Sequence, residues 1–222
     1  MSTGLRTARA PRRTAAGRPS ALREGLRLAP RLRVGVYGGS FDPLHEGHLH
    51  VAHEALRRLR LDRIVWLVSP ANPLKTQAGA GPQDLRVRLE AVRRRLRGPS
   101  AVASGLEAML GSPYTLDTVR WLKARFPAVA FVWIMGADSL ASFHLWNGWQ
   151  DLAREIPLAV ISREGAMISS RVSPMARRFP HSRRPLADAS GLVRRSPPAW
   201  LYVPARLHRI SSSALRARAK RT

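Results

Sequence analysis

Apolar residues along this chain fall into short runs of strand length, separated by stretches with helical spacing. "LRVGVYGGSF" predicts a buried strand from about Arg33 to Tyr37, ended by the pair Gly38-Gly39. "HLHVAHEALRRLR" sets Ala52, Leu56 and Leu59 on one side of a helix, with basic residues toward its C-terminal end, where the helix dipole favours them. "RIVWLVSP" (63–70) is a second strand stopped by Pro70, and "NPLKTQAGAGPQ" has loop chemistry. "DLRVRLEAVRRRL" is an amphipathic helix that Asp84 can cap, "SAVAS" (100–104) a weak third strand, and "YTLDTVRWLKARF" a helix. The most apolar run, "AVAFVWIMG", is a fourth strand followed by a helical "DSLASFHLW"; "PLAVIS" (157–162) is a fifth. Residues 165–198 have a loop-like composition, "AWLYVPA" reads as a last strand, and "SSSALRARAK" begins a terminal helix.

Strands alternating with helices are the grammar of a parallel sheet covered on both faces, so the expected class is α/β, a Rossmann-like doubly wound parallel sheet. Ligands on such sheets bind outside the carboxyl ends of the strands. The stretch "GGSFDPLHEGH" lies at such an end, directly after the first strand.

Composition narrows the classes of function. The chain has 222 residues and no cysteine, which excludes disulfides, thiolate nucleophiles and cysteine-ligated zinc. No apolar run approaches the roughly 18 residues that a membrane-crossing helix needs. The first 33 residues hold nine arginines against one acid, Glu24. They are expected to form a disordered basic arm over residues 1–32, ahead of a single domain spanning 33–222. The formal net charge of +24 invites a nucleic-acid reading. The arginines fall in scattered blocks, however, with no interleaved aromatics and no zinc finger, so no specific nucleic acid is expected. A site that handles polyphosphates would also favour a positive field.

Within the glycine-histidine stretch, Gly38 and Gly39 leave no side chain in the way of a large anionic ligand, and Asp42-Pro43 makes a tight turn. His45 and His48, three apart at the mouth of a helix, can lie on one side of it, beside the helix's own unpaired N–H groups. Ring donors beside a helix N-terminus suit a phosphoryl group whose charge is growing. Other readings are a metal site built from His45, His48 and His53, or a strand-turn-helix with incidental histidines. "HEGH" does not have the four-residue spacing of a zinc-protease helix, and neither G-x-G-x-x-G nor a P-loop is present.

"GGSFDPLHEGH" resembles the G-x-F-D-P-x-H-x-G-H signature of the nucleotidyltransferase superfamily, and "ISSSALR" (210–216) resembles its second signature, I-S-S-T-x-x-R, with Ser213 in place of threonine. Between them, "SPANPLK", "SPYTLDTVRWLKARFP", "WIMGADSLASFHLWNGWQDL" and "LAVISREG" are similar to segments of nicotinate mononucleotide adenylyltransferases. The likeness covers about residues 33–165 and 200–218. It implies a nucleotidyltransferase fold and transfer of the adenylyl group of ATP to nicotinate mononucleotide, giving deamido-NAD and pyrophosphate, in the cytoplasm. His45 and His48 would then be catalytic. Gly38, Gly39, Ser40, Phe41, Lys75, Ser211, Ser212, Ser213 and Arg216 would bind ATP. Tyr114, Thr115, Asp138 and Trp146 would bind the acceptor, Trp146 by stacking on the pyridine ring and Tyr114 and Thr115 through backbone N–H groups. Thr118 could assist. Mg²⁺ would ride on the triphosphate, with no dedicated protein metal site. Structural alternatives stand beside these roles: Trp146 and Trp149 as plain core, Thr115 and Asp138 as helix caps. The functional alternatives are the same chemistry on nicotinamide mononucleotide or phosphopantetheine, or a basic nucleic-acid-binding module.

Overall fold

A computed structural model describes residues 26–70, 84–162 and 173–205. In chain order these form β1 (Arg33–Gly39), α1 (Glu46–Arg58), β2 (Arg63–Val68), α2 (Leu85–Arg95), β3 (Ala101–Ser104), α3 (Leu106–Leu110), α4 (Thr115–Arg125), β4 (Ala130–Gly136), α5 (Ala137–Ser142), α6 (Trp149–Glu155), β5 (Leu158–Ile161), α7 (Pro174–Arg178), β6 (Arg183–Arg184) and β7 (Trp200–Val203). Three 3-10 segments, Phe143–Leu145, Pro180–Ser182 and Leu186–Arg194, complete the described chain.

The strands make one seven-stranded sheet in the order β3-β2-β1-β4-β5-β7-β6. Every described pairing is parallel. The chain winds outward from β1 to β3, returns to β4, and winds the other way. The order therefore reverses between β1 and β4, and in sheets of this kind the ligand crevice lies outside the carboxyl ends at such a switch point.

Alternation along β1 divides the core in two. Val34 and Val36 face a cluster with Leu116, Val119, Leu122, Trp133, Leu140 and Leu152, drawn from β4, α4, α5 and α6. Tyr37 faces the opposite cluster, with Val51, Ala55, Leu89, Val92, Ile134 and Leu192, supplied largely by α1, α2 and the 186–194 segment. The expected α/β class and doubly wound sheet are observed.

Three expectations change, and one helix appears where none was expected. The first strand continues through the glycine pair, because Gly38 and Gly39 stay in register with Leu67 and Val68 of β2. The short helix α3 had no periodic signal, since five residues complete little more than one turn. Residues 173–198 are not simply loop. Ser173 caps α7 by accepting from the Ala176 N–H (3.2 Å), with Pro174 at the first helical position, and Met175, Phe179, Leu192 and Val193 are buried. Their turns are too short to produce a period. Residues 26–32, assigned from composition to the arm, pack Leu26, Leu28 and Leu32 against the core. The terminal helix expected from "SSSALRARAK" and the loop "NPLKTQAGAGPQ" lie outside the described residues.

Candidate functional site

Helices that cross back between parallel strands run against them, so α1, α4 and α5 all begin at the sheet's carboxyl edge. That places the glycine loop, the paired histidines, Tyr114-Thr115 and Asp138 along one rim.

The histidines are held by the helix they start. His45 is the N-cap of α1 in extended conformation, and its Nδ1 accepts from the Gly47 N–H (3.1 Å). His48 Nδ1 accepts from the His45 N–H (3.3 Å), closing a reciprocal capping box in which imidazoles replace the usual hydroxyl and carboxylate. The rings lie 3.9 Å apart, tilted by 31°. Two amides expected to face a ligand are spent in this arrangement: Gly47 N–H on His45, and His48 N–H on the His45 carbonyl (2.9 Å). In exchange, both Nδ1 lone pairs are occupied. Each neutral ring must then carry its proton on Nε2 and can donate there without becoming charged.

Phe41 links this pair to β1. Its ring is 2% exposed and lies 5.2 Å from His48, 5.4 Å from Tyr37 and 5.2 Å from Trp66. Its backbone is left-handed, with φ of 47°. For a residue with a side chain this costs about 1–2 kcal/mol, which the surrounding packing must offset. The side chain is core, so only the backbone of Phe41 is available to a ligand. The Asp42-Pro43 turn that follows contains a cis peptide bond, and Asp42 is buried.

Around the acceptor candidates, Tyr114 is 42% exposed and precedes α4 as its N-cap, without a side-chain cap. Its N–H donates to Ser112 Oγ (3.3 Å), which itself donates to Asp117 (2.6 Å). The Tyr114 amide expected to meet a carboxylate is thus engaged within the chain here. Thr115 is the first helical residue and not the cap. Thr118 is fully buried, and its Oγ1 has no hydrogen-bond partner among the described residues. Asp138 does not cap α5: Gly136 holds the N-cap position, and exposed Asp138 lies in the first turn. Its Oδ1 folds back so closely that a Cβ on Gly136 would come within 2.3 Å of it.

Trp146 is half-buried and meets Trp133 edge-on (6.1 Å, 88°) and Phe143 (5.4 Å). Trp149 packs against Phe143 and Phe179. Gly148, between the two tryptophans, has φ of 63° and lies against Leu116 of α4, where a Cβ would approach Leu116 Cδ2 to 2.8 Å. That contact joins the Tyr114-Thr115 segment to the Trp146 loop. Trp133 joins Trp146 to β1, because its ring covers Gly38.

Three buried ionisable residues escaped the sequence reading: Glu54 of α1, which pairs with Arg57 and Arg58, Arg88 and Glu107. Arg88 of α2 reaches the loops that leave β1 and β2. Glu107 of α3 is 4% exposed; burial pushes its carboxyl above the ordinary range, opposed by a hydrogen bond from Ser69. The signal for Arg88 was present, since it sits three residues after Leu85 and four before Val92, on the apolar face of its helix. Lys75, Ser211, Ser212, Ser213 and Arg216 lie outside the described residues. Among those described, no three His, Asp or Glu side chains gather to hold a metal.

A parallel sheet with its switch point between β1 and β4, and polar groups gathered along its carboxyl edge, defines an α/β protein of the doubly wound, Rossmann-like class. The cytidylyltransferase-like family model matches residues 36–218. A probable nicotinate-nucleotide adenylyltransferase of Caulobacter sp. (strain K31) is 54% identical over 187 residues, which is 84% of this chain and 98% of that one. One of Cereibacter sphaeroides is 48% identical, over 83% of this chain and 96% of the relative. The chain belongs to the cytidylyltransferase-like family and, within it, to the nicotinate-nucleotide adenylyltransferases. The fold is shared with the Plasmodium falciparum nicotinic acid mononucleotide adenylyltransferase solved in complex with APC (TM-score 0.60, 16% identity, 83% of this chain and 82% of that one). The same protein complexed with NaAD aligns with a TM-score of 0.58, at the same identity and coverage.

Proposed function

We propose that the protein transfers the adenylyl group of ATP to nicotinate mononucleotide, forming deamido-NAD and pyrophosphate in NAD biosynthesis. The 5′-phosphate of the mononucleotide attacks the α-phosphorus in line. A new P–O bond forms as the bond to pyrophosphate breaks, and no proton need move, because the attacking phosphate is already ionised. Catalysis is then positioning plus charge stabilisation.

The observation that carries this reading is the imidazole pair at the switch-point crevice, each ring committed through Nδ1 to a backbone amide. The two Nε2–H groups donate to the α-phosphate and to the oxygen that gains charge as pyrophosphate leaves. The backbone of Gly38, Gly39, Ser40 and Phe41 lines the nucleotide. Lys75, Ser211, Ser212, Ser213 and Arg216 hold the β- and γ-phosphates, on the strength of the sequence signatures alone. Mg²⁺ enters as part of the substrate MgATP, coordinated by phosphate oxygens and water. On the acceptor side, Trp146 offers an aromatic platform to the pyridine ring, and the start of α4 at Tyr114-Thr115 supplies amide donors to the carboxylate. Tyr114 must release Ser112 to use its own amide. Asp138, which only accepts hydrogen bonds when ionised, suits a hydroxyl of the acceptor. Among the described residues no helix is long and apolar enough to cross a membrane, and a cytoplasmic location fits the reaction.

The test is pyrophosphate release from MgATP with nicotinate mononucleotide, nicotinamide mononucleotide or phosphopantetheine as acceptor. Nicotinate mononucleotide should be turned over most efficiently. His48→Ala should lower kcat on the order of 100- to 1000-fold with the fold intact, the usual effect of deleting one donor to a developing charge. Predominant use of phosphopantetheine, or normal turnover by a variant lacking both imidazoles, would refute the reading.

A further inference from the structure

Arg88 is 2% exposed, among the largest fully buried side chains of the protein. One guanidinium nitrogen donates to the carbonyls of Ser40 (2.7 Å) and Ser69 (2.8 Å), and the other to Pro70 (3.1 Å). Ser40 leaves β1, whereas Ser69 and Pro70 leave β2, so a single side chain from α2 gathers two loops at the carboxyl edge. The Ser69 N–H closes the same junction by donating to the Gly39 carbonyl (3.0 Å). Burial lowers the guanidinium pKa, while the charges of Asp42 and Asp84 oppose that shift. An apolar residue of like volume would leave three carbonyls without this donor, and the direction in which they are held gives the charge a reason beyond packing. Lysine could not substitute, because a point-charge ammonium does not span three carbonyls in a planar fork.

The peptide plane supplies the reason. In a trans peptide the C=O and the following N–H point in opposite directions. Holding the Ser40 oxygen toward α2 therefore turns the Phe41 N–H away from α2, at the one residue of this loop whose backbone is left-handed. Strained backbone persists where its surroundings over-determine it. Here those surroundings are the Arg88 bond and the aromatic cage that presses Phe41 against His48.

We propose that Arg88 is a positioning residue for the ATP half of the site: it orients the Ser40–Phe41 peptide so that the Phe41 amide meets the triphosphate, and through the Phe41 ring it seats His48. This rests on the adenylyl-transfer reading of the crevice. Arg88 itself touches no substrate. The acceptor candidates on α4 and around Trp146 pack on the other face of the sheet, so the effect is confined to ATP.

Steady-state kinetics of Arg88→Lys and Arg88→Met should show KM for ATP raised and kcat lowered, together by at least tenfold in kcat/KM for ATP. KM for nicotinate mononucleotide should stay within twofold of wild type. Equal changes in both KM values, or none, overturn the proposal. Should neither variant fold, the wild-type protein still decides. Titrating it with a non-hydrolysable ATP analogue must shift the Phe41 amide resonance, and an unmoved amide rejects the proposal. If wild type turns over no acceptor, the functional reading fails, while the amide titration still tests the contact between the Phe41 N–H and an adenine nucleotide on which the Arg88 proposal depends.

Discussion

Replacing Gly38 by alanine would put a methyl carbon 2.6 Å from Cη2 and 2.8 Å from Cζ2 of Trp133. Carbon atoms at rest sit about 3.5–4.0 Å apart, so the indole must retreat by about 1 Å. It has nowhere to go: Trp133 is 1% exposed, its backbone is paired with Val36 of β1, and its ring is already met edge-on by Trp146. Overpacking of this kind typically costs about 1–3 kcal/mol. A loss near 2 kcal/mol, with a urea m-value of about 2 kcal/mol/M, lowers the unfolding midpoint by about 1 M at unchanged m. The displaced indole also pushes on Trp146, so KM for nicotinate mononucleotide should rise along with the loss of stability. Trp133→Phe removes the distal ring atoms that the methyl would strike. In the Gly38→Ala background it should therefore recover part of the loss, giving a coupling energy of about 0.5–3 kcal/mol. The reasoning fails if Gly38→Ala unfolds within about 0.5 kcal/mol of wild type, or if the two substitutions simply add.

Two further outcomes concern pH. Glu107 has its carboxyl raised above the ordinary range by burial, so its stabilising state is the protonated one, fully present in acid and lost as pH rises through the raised value. Glu107→Gln should be at least as stable as wild type at neutral pH and lose that advantage in acid; a lower melting temperature for the glutamine variant at pH 7 would contradict this. Asp62 behaves in the opposite sense, because hydrogen bonds from the Arg33 side chain and backbone hold its carboxyl below the usual range. Its contribution is present above the ordinary aspartate range and lost as pH falls through the lowered value. With both partners about one-third exposed, Asp62→Ala should cost about 1 kcal/mol at pH 7 and nothing in strong acid, read from denaturant midpoints across pH.

What could be read along the chain was what depends on neighbours in sequence. Asp84 caps α2 by accepting from the Arg86 N–H (2.7 Å), as its place before an apolar period implied. The three-residue spacing of His45 and His48 was enough to bring their rings together, because an N-cap and the third residue after it meet across the first turn of the helix. The alternation of apolar strands and amphipathic helices was enough for a doubly wound sheet. Linear order could not reveal which atoms the histidines would consume. Both Nδ1 atoms turned inward onto backbone amides, and that sets the tautomer available for chemistry.

The remaining features were decided by contacts between residues far apart in the chain. Arg88 is 48 positions from Ser40, and nothing local distinguishes it from the solvated arginines around it except one position on a helix face. Phe41 takes a left-handed backbone where Arg88 holds the preceding carbonyl and Tyr37, Trp66 and His48 cage its ring, and Gly38 has to be glycine only because Trp133, from another strand, lies across it. Local propensities are summed over a few residues, whereas burial, orientation of a peptide plane and the reach of an indole exist only once β1, β2 and β4 are side by side. Architecture and candidate chemistry were therefore legible from local patterns, whereas the way the site is held arises from contacts across the sheet.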